Sequence, residues 1–212
     1  MPINVKDQLA TSLGKNDEAP NIALATKIVK SDDKLAVKEL VSLLNDKKTA
    51  VRSDVIKVLY EIAGHKVEMV LPYTTNILAL LDHKDNRMKW GAMTTLSAIS
   101  KEKPELIAKH LPAILEAMDT GTVITRDHGI IILCQTAKLK KHHNDSIELL
   151  LEQLERSPVN QVPSYAEQIF EVLSSAYIKR FESILKSRTD VADFSSKQKR
   201  IEKLLKKTVS FH

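Results

Sequence analysis

The chain has 212 residues, of which 43% are hydrophobic, 4% are aromatic and 28% are charged, and its formal net charge is +5. With only 5 Gly and 7 Pro, this composition argues against sandwiches and barrels, which need frequent turns, and favours helices. No apolar run is long enough for a membrane-spanning helix, and the N-terminus lacks the apolar core of a signal peptide. The single cysteine, Cys134, cannot form an internal disulfide. We therefore expect a cytoplasmic protein.

The chain begins with two short helical patterns. Residues 5–14, VKDQLATSLG, predict a helix that ends at Gly14. Residues 18–30, EAPNIALATKIVK, predict a second helix with Pro20 in its first turn. We interpret residues 1–31 as a partial repeat.

One pattern then recurs four times at a spacing of 37 residues, starting at Ala50, Arg87, Ile124 and Gln161. When the four segments are aligned, the residues at each equivalent position form a column. One column is always large and apolar, and another is always small or β-branched, as expected where a helix packs closely against its neighbours. The two columns are Leu59, Leu96, Leu133 and Phe170, and Val55, Ala92, Gly129 and Ala166. These segments predict four helices, which we call the B helices.

A second helical pattern, the A helix, precedes each B helix. Its apolar positions are Leu40, Val41 and Leu44 in the first repeat and Ile77, Leu78 and Leu81 in the second. After the fourth repeat, residues 177–187 and 195–208 predict two helices that do not fit the repeat and would cap it. The last one carries an apolar stripe of Ile201, Leu204 and Leu205 among Lys and Arg. Residues 178–212 hold ten Lys or Arg and four Asp or Glu, and the remainder is nearly neutral.

This organisation resembles the HEAT-repeat family of α-solenoids over about residues 32–176. The family often carries an Asp between helices A and B and an Arg six residues later, and Asp46 and Arg52 match that pair. Lys89 and Arg126 hold the basic position in the next two repeats, whereas His83 and Thr120 replace the acid. The resemblance implies that these residues join neighbouring repeats.

The resemblance also implies an all-α fold, a right-handed α-α superhelix of antiparallel helix pairs. We expect a single solenoid domain over residues 1–212. It comprises the partial repeat 1–31, four repeats over 32–176, and capping helices with a basic tail over 177–212.

Trp90, the only tryptophan, lies on the side of its B helix opposite to the core columns. In HEAT-like solenoids the B helices line the concave face, so we expect Trp90 to face it. An aromatic anchor with a polar rim is typical of protein interfaces. The predicted partner-binding residues are Lys57, Tyr60, Arg87, Trp90, Thr94, Asp127, Ile131 and Cys134. Alternatively, Trp90 only covers apolar surface on its own or the neighbouring helix.

The sequence thus predicts a non-enzymatic scaffold or adaptor that binds another protein or peptide. It contains no GxSxG, P-loop or HExxH motif, so we predict no catalytic residue, metal or cofactor. One alternative is a nucleic-acid-binding protein similar to the HEAT-like alkylpurine DNA glycosylases, with Trp90 and Asp127 as neighbours. The near-neutral body argues against it, because a DNA-binding groove is basic. The basic C-terminal helix either contacts nucleic acid or an anionic membrane, or only caps the solenoid.

Overall fold

The structure is a computed structural model that describes residues 4–188 and 195–209. The described residues form helices and turns, with no strand among them, which confirms the all-α prediction. None of the described helices is long and apolar enough to cross a membrane. The α-helices are α1 Ala19–Ser31, α2 Lys34–Leu43, α3 Thr49–His65, α4 Thr74–Leu78, α5 Asn86–Glu102, α6 Pro104–Ala108, α7 Leu111–Thr120, α8 Val123–Ala137, α9 His143–Glu155, α10 Val162–Phe170, α11 Ile178–Ser187 and α12 Ser195–Thr208.

The chain forms two compact units, Met1–Gly129 and Ile130–His212. The first unit contains α1 to α7 and the start of α8, and the second contains the rest of α8 and α9 to α12. The single solenoid domain over residues 1–212 stays a prediction.

The B helices of the repeat are α3, α5, α8 and α10. Three of them begin one residue before the predicted start, and α10 begins one residue after it. The fourth B helix, α10, ends at Phe170, earlier than its pattern predicted. In the first unit α3 packs against α1, α2 and α5, and the predicted core columns are buried. The 37-residue period therefore corresponds to real helix pairs.

Gly129 permits the close helix contact expected from its column. A Cβ atom at Gly129 would lie 2.2 Å from Sδ of Met118 on α7, far inside contact distance. Gly91 on α5 is similarly close, since a Cβ there would lie 2.5 Å from Cγ1 of Ile56 on α3. At Gly129 the small column is occupied by glycine because the Met118 side chain of the neighbouring helix lies against the backbone.

The helix predicted over residues 5–14 is wrong. This segment forms a 3-10 turn at Lys6–Gln8, and the backbone becomes extended at Leu9. The next two backbone N–H groups donate to side chains of other elements: Ala10 to Oδ1 of Asn21 at 3.0 Å, and Thr11 to a carboxylate oxygen of Asp54 at 2.7 Å. A continuous helix would use those donors internally. Contacts to α1 and α3 therefore replace the helical hydrogen bonds.

The residues that the HEAT resemblance expects to join neighbouring repeats make different kinds of contact. Nη1 of Arg52 donates to the backbone carbonyl of Asp46 at 2.7 Å, whereas the Asp46 carboxylate accepts from Lys6 and from the Lys48 backbone. Arg52 therefore contacts the turn of its own repeat, whereas Asp46 contacts Lys6 of the preceding N-terminal segment. Nζ of Lys89 donates to Oγ1 of Thr120 at 2.9 Å and joins α5 to the end of α7. The predicted contact between neighbouring repeats is confirmed at Lys89.

In the second unit, α12 packs against α10 and α11. Ile201 and Leu204 are buried and Leu205 is half-buried, so the predicted apolar stripe faces its own unit. Arg200 also pairs with Glu167 of α10, with Nε donating to Oε1 at 2.8 Å. These contacts are those expected of a capping helix.

Candidate protein-binding surface

The side chain of Trp90 leaves the core side of α5, as its position predicted. Met88, Ala92 and Leu96 are fully buried on the other side of this helix. The Trp90 ring is half-buried and packs against Tyr60 of α3, with ring centroids 5.7 Å apart and planes tilted by 45°. Trp90 therefore covers part of the neighbouring helix α3, as the alternative interpretation predicted. Trp90 is nevertheless not fully buried. We call Lys57, Tyr60, Arg87, Trp90 and Thr94 the Trp90 surface.

Arg87 completes the packing of the indole ring. Its Cζ lies 4.3 Å from the Trp90 ring centroid, within the range of a cation–π contact. The position of Arg87 is set by the first turn of α5, where the Asp85 carboxylate caps the helix and accepts the Arg87 backbone N–H at 2.8 Å. The ring is held between a cation of its own helix and an aromatic residue of α3.

Lys57, expected at an exposed rim, is buried. Its Nζ pairs with Glu61 at 2.7 Å and with Glu18 at 2.9 Å, and lies 4.7 Å from the Tyr60 ring centroid. Burial lowers the pKa of Lys57, but hydrogen bonds, led by the one to Glu61, outweigh it and hold the pKa above its ordinary value. Lys57 therefore stays charged and is the buried member of the Trp90 surface.

Glu18 and Glu61 belong to this cluster, although neither was among the predicted partner-binding residues. Glu61 could have been found, because it lies four residues after Lys57 on one helix, the spacing of helical ion pairs. Glu18 precedes α1, and no sequence spacing connects it to Arg87, whose Nη2 it binds at 2.6 Å. The hydrogen bond from Lys57 is the main cause that lowers the pKa of Glu18. Two carboxylates thus balance the two cations.

Thr94 lies one turn after Trp90 and is half-buried. Its Oγ1 donates to the Trp90 backbone carbonyl at 2.9 Å.

Asp127 is half-buried on α8. The adjacent His128 makes a contact to α5, since its Nδ1 lies 2.8 Å from Oγ of Ser97. Burial lowers the pKa of His128, although the charge of Asp127 opposes this.

Ile131 and Cys134 belong to the second unit. Ile131 is half-buried. Cys134 is buried, with Sγ 3.7 Å from the carbonyl oxygen of Gln168, so its thiol contributes little accessible surface. Burial raises the pKa of Cys134 to about 12. Across the described part of the chain, no three His, Cys, Asp or Glu side chains are grouped as a metal site.

No protein-family model and no curated protein matches the sequence. Solved structures match over nearly the whole chain. An engineered protein of the Northeast Structural Genomics Consortium has a TM-score of 0.62 at 17% identity, covering 99% of this chain and 98% of that chain. The designed armadillo repeat protein YIII(Dq)4CqI has a TM-score of 0.59 at 13% identity, covering 95% and 98%.

The designed armadillo repeat protein YIII(Dq.V1)4CPAF, in complex with the peptide (KR)4, has a TM-score of 0.62 at 14% identity and covers 95% of this chain and 98% of that chain. This chain has a HEAT/armadillo-like helical repeat fold. The resemblance drawn from the 37-residue period is confirmed, as is the all-α solenoid class. At these identities the likeness concerns the fold alone.

Proposed function

We propose that the protein is a non-enzymatic scaffold that binds another protein or peptide through the Trp90 surface. The observation that carries this proposal is the half-buried Trp90 ring, held between Tyr60 and Arg87. Trp, Tyr and Arg are the residue types enriched where truncation costs an interface most affinity. A ring already fixed by two neighbours loses little conformational freedom when a partner packs on it.

The charges around this ring favour a protein over a nucleic acid. Lys57 and Arg87 are balanced by Glu18 and Glu61, so the surface lacks the basic excess that phosphate binding needs. The fold is compatible with peptide binding, since one structurally similar designed armadillo protein is in complex with a peptide. A HEAT-like scaffold binds its partner on a surface that is already formed in the free protein, and this role requires no catalytic group.

Affinity capture tests this function. Wild-type protein and Trp90→Ala are used as bait in lysate of the native host, with and without nuclease. The matched control is Leu35→Ala, which truncates a 70% exposed side chain on α2 in the same unit. We expect a nuclease-resistant protein that Trp90→Ala loses and Leu35→Ala retains. Retention of every partner by a folded Trp90→Ala variant would rule out the Trp90 surface.

A second candidate function, contact with nucleic acid, is favoured by one observation on α12. Lys199, Lys203 and Lys206 are exposed at spacings of four and three residues, so they share the face opposite to Ile201 and Leu204. Within the part of the chain that the structure describes, none of these three lysines forms a hydrogen bond or ion pair. Because the apolar stripe is already buried, α12 lacks the free apolar face with which a helix enters a membrane.

A salt series tests this candidate. Binding of labelled duplex DNA is followed by anisotropy for wild type and for a triple Lys→Gln variant at positions 199, 203 and 206. Each lost phosphate contact should reduce the slope of log K against log salt by about 0.9. The control neutralises the exposed Lys30, Lys34 and Lys38 of the first unit. Equal affinity and slope in both triple variants would exclude α12 as the contact.

A further inference from the structure

Two cations of the Trp90 surface share one carboxylate, that of Glu18. Oε1 of Glu18 lies 2.6 Å from Nη2 of Arg87, and Oε2 lies 2.9 Å from Nζ of Lys57. Each carboxylate oxygen is therefore bound by a different cation. Side chains of α3 and α5 form a complete carboxylate-binding site, and the residue just before α1 fills it.

Contacts that do not involve Glu18 also hold the two cations. The Lys57 side chain is only 8% exposed, and Glu61 binds its Nζ at 2.7 Å. Arg87 lies over the Trp90 ring. If Glu18 moved away, both cations would keep these contacts, and Glu61 would balance only one of them. A preformed guanidinium next to a lysine would then favour another carboxylate, with which it makes strong charge-assisted hydrogen bonds.

Glu18 itself is held at an exposed position. Its side chain is 48% exposed, it makes no side-chain capping bond to α1, and residues 11–19 around it are all exposed. The pair between Glu18 and Arg87 is partly exposed, so water and salt screen it and it contributes little to stability. If a carboxylate from another molecule replaces that of Glu18, Lys57 and Arg87 keep a partner of the same charge and chemistry. The partner then adds apolar contact with the Trp90 and Tyr60 rings, which Glu18 does not supply.

We propose that Glu18 occupies, in the free protein, the place of an acidic side chain of the partner. The partner segment is a peptide in which Asp or Glu lies next to an apolar residue; its carboxylate displaces Glu18, and its apolar group packs on Trp90 and Tyr60. This inference rests on the proposed function and specifies its partner class. The preferred charge is opposite to that of the (KR)4 peptide in the similar designed protein.

Trp90 fluorescence provides the readout, because the chain has a single tryptophan and that residue lies at the site. Three eight-residue probes are titrated: a peptide alternating Glu and Leu, its Gln and Leu counterpart, and (KR)4. Wild type is compared with Glu18→Gln. The control is Asp17→Asn, which makes the same change in net charge and keeps Oδ1, the atom that accepts the Ala19 backbone N–H at 2.9 Å.

We expect Glu18→Gln to bind the Glu/Leu peptide about three- to tenfold more tightly than wild type, because a competing internal ligand is removed. Asp17→Asn should bind like wild type, and the Gln/Leu peptide should bind weakly to every variant. Adding Arg87→Gln to Glu18→Gln should abolish the gain. Should Glu18→Gln fail to fold, Glu18→Asp, whose side chain is shorter by one methylene group, serves as the second variant.

Three outcomes overturn the inference: equal affinity of wild type and Glu18→Gln for the Glu/Leu peptide, no binding of that peptide by either protein, or binding of (KR)4 that Glu18→Gln loses. Failure here is distinguishable from failure of the proposed function. If a captured partner is lost by Trp90→Ala but binds Glu18→Gln as it binds wild type, the inference is wrong and the proposed function stands. If wild type and Trp90→Ala capture the same partners, the proposed function is wrong.

Discussion

The guanidinium of Arg87 lies over the indole ring of Trp90, with Cζ 4.3 Å from the ring centroid, one helical turn away on α5. Tyr60 of α3 packs against the same ring. The indole is therefore fixed by its own helix and by the preceding B helix. These contacts also contribute to stability, so variants at Trp90 need a stability measurement beside each binding experiment.

Trp90→Ala should lower the free energy of unfolding by about 1–3 kcal/mol. The aromatic pair with Tyr60 contributes about 0.5–1.5 kcal/mol and the cation–π contact about 0.5–1 kcal/mol, in addition to the buried area that is lost. Urea unfolding followed by circular dichroism measures the change. Leu35→Ala, at an exposed position, should stay within about 0.5 kcal/mol of wild type. Equal stability of the two variants would show that the Trp90 contacts do not stabilise the fold.

Gly129→Ala and Gly64→Ala should have opposite effects. A Cβ at Gly129 meets the buried Met118 side chain at 2.2 Å, so overpacking should cost about 1–3 kcal/mol. At Gly64, near the end of α3, a Cβ would meet no atom of the surrounding structure within 4 Å, and alanine should stabilise the helix by about 0.5–1 kcal/mol. Thermal unfolding of both variants measures the two shifts. Stabilisation by Gly129→Ala would contradict the packing at Met118, and destabilisation by Gly64→Ala would contradict the open space at Gly64.

His128 should make stability fall below neutral pH. Burial lowers its pKa in the folded state, so the unfolded chain binds the proton first as pH falls below about 6.5. The free energy of unfolding contributed by this group is complete above that pH and decreases towards the folded-state pKa. Urea unfolding at pH 7.5, 6.5 and 5.5 should show this loss, and His128→Gln should reduce it.

The matched control for this pH series is His65→Gln, at an exposed position near the end of α3. It removes an exposed imidazole, whereas His128→Gln removes a half-buried one. If His128→Gln and His65→Gln behaved alike, burial of His128 would not be the cause.

Cys134 should be unreactive in the folded protein. Its pKa of about 12, caused by burial, leaves almost no thiolate at pH 8, and the thiolate is the reactive form. A colorimetric disulfide reagent should therefore label Cys134 only after unfolding in urea. A cysteine introduced at the exposed Lys15 supplies the control and should react at once. Rapid labelling of native wild type would contradict the burial of this thiol.

The sequence predicted α1, the B helices α3, α5 and α8, and α12 closely, because alternating large and small residues with a helical period are a local signal. It failed at residues 5–14, whose pattern also looked helical. There the N–H groups of Ala10 and Thr11 donate to Asn21 and Asp54. Those acceptors lie 11 and 43 residues away, and no local pattern contains them.

The sequence by itself determined that the chain is a repeat of helix pairs and that Trp90 points away from the core, since both follow from spacing along one helix. Only the tertiary structure decided how the charges around Trp90 are arranged. Lys57 was expected at an open rim and is instead buried between Glu18 and Glu61. Glu18 comes close to Arg87 across 69 positions because α1 and α5 both pack on α3. That proximity depends on how helices pack, which spacing along the chain does not encode.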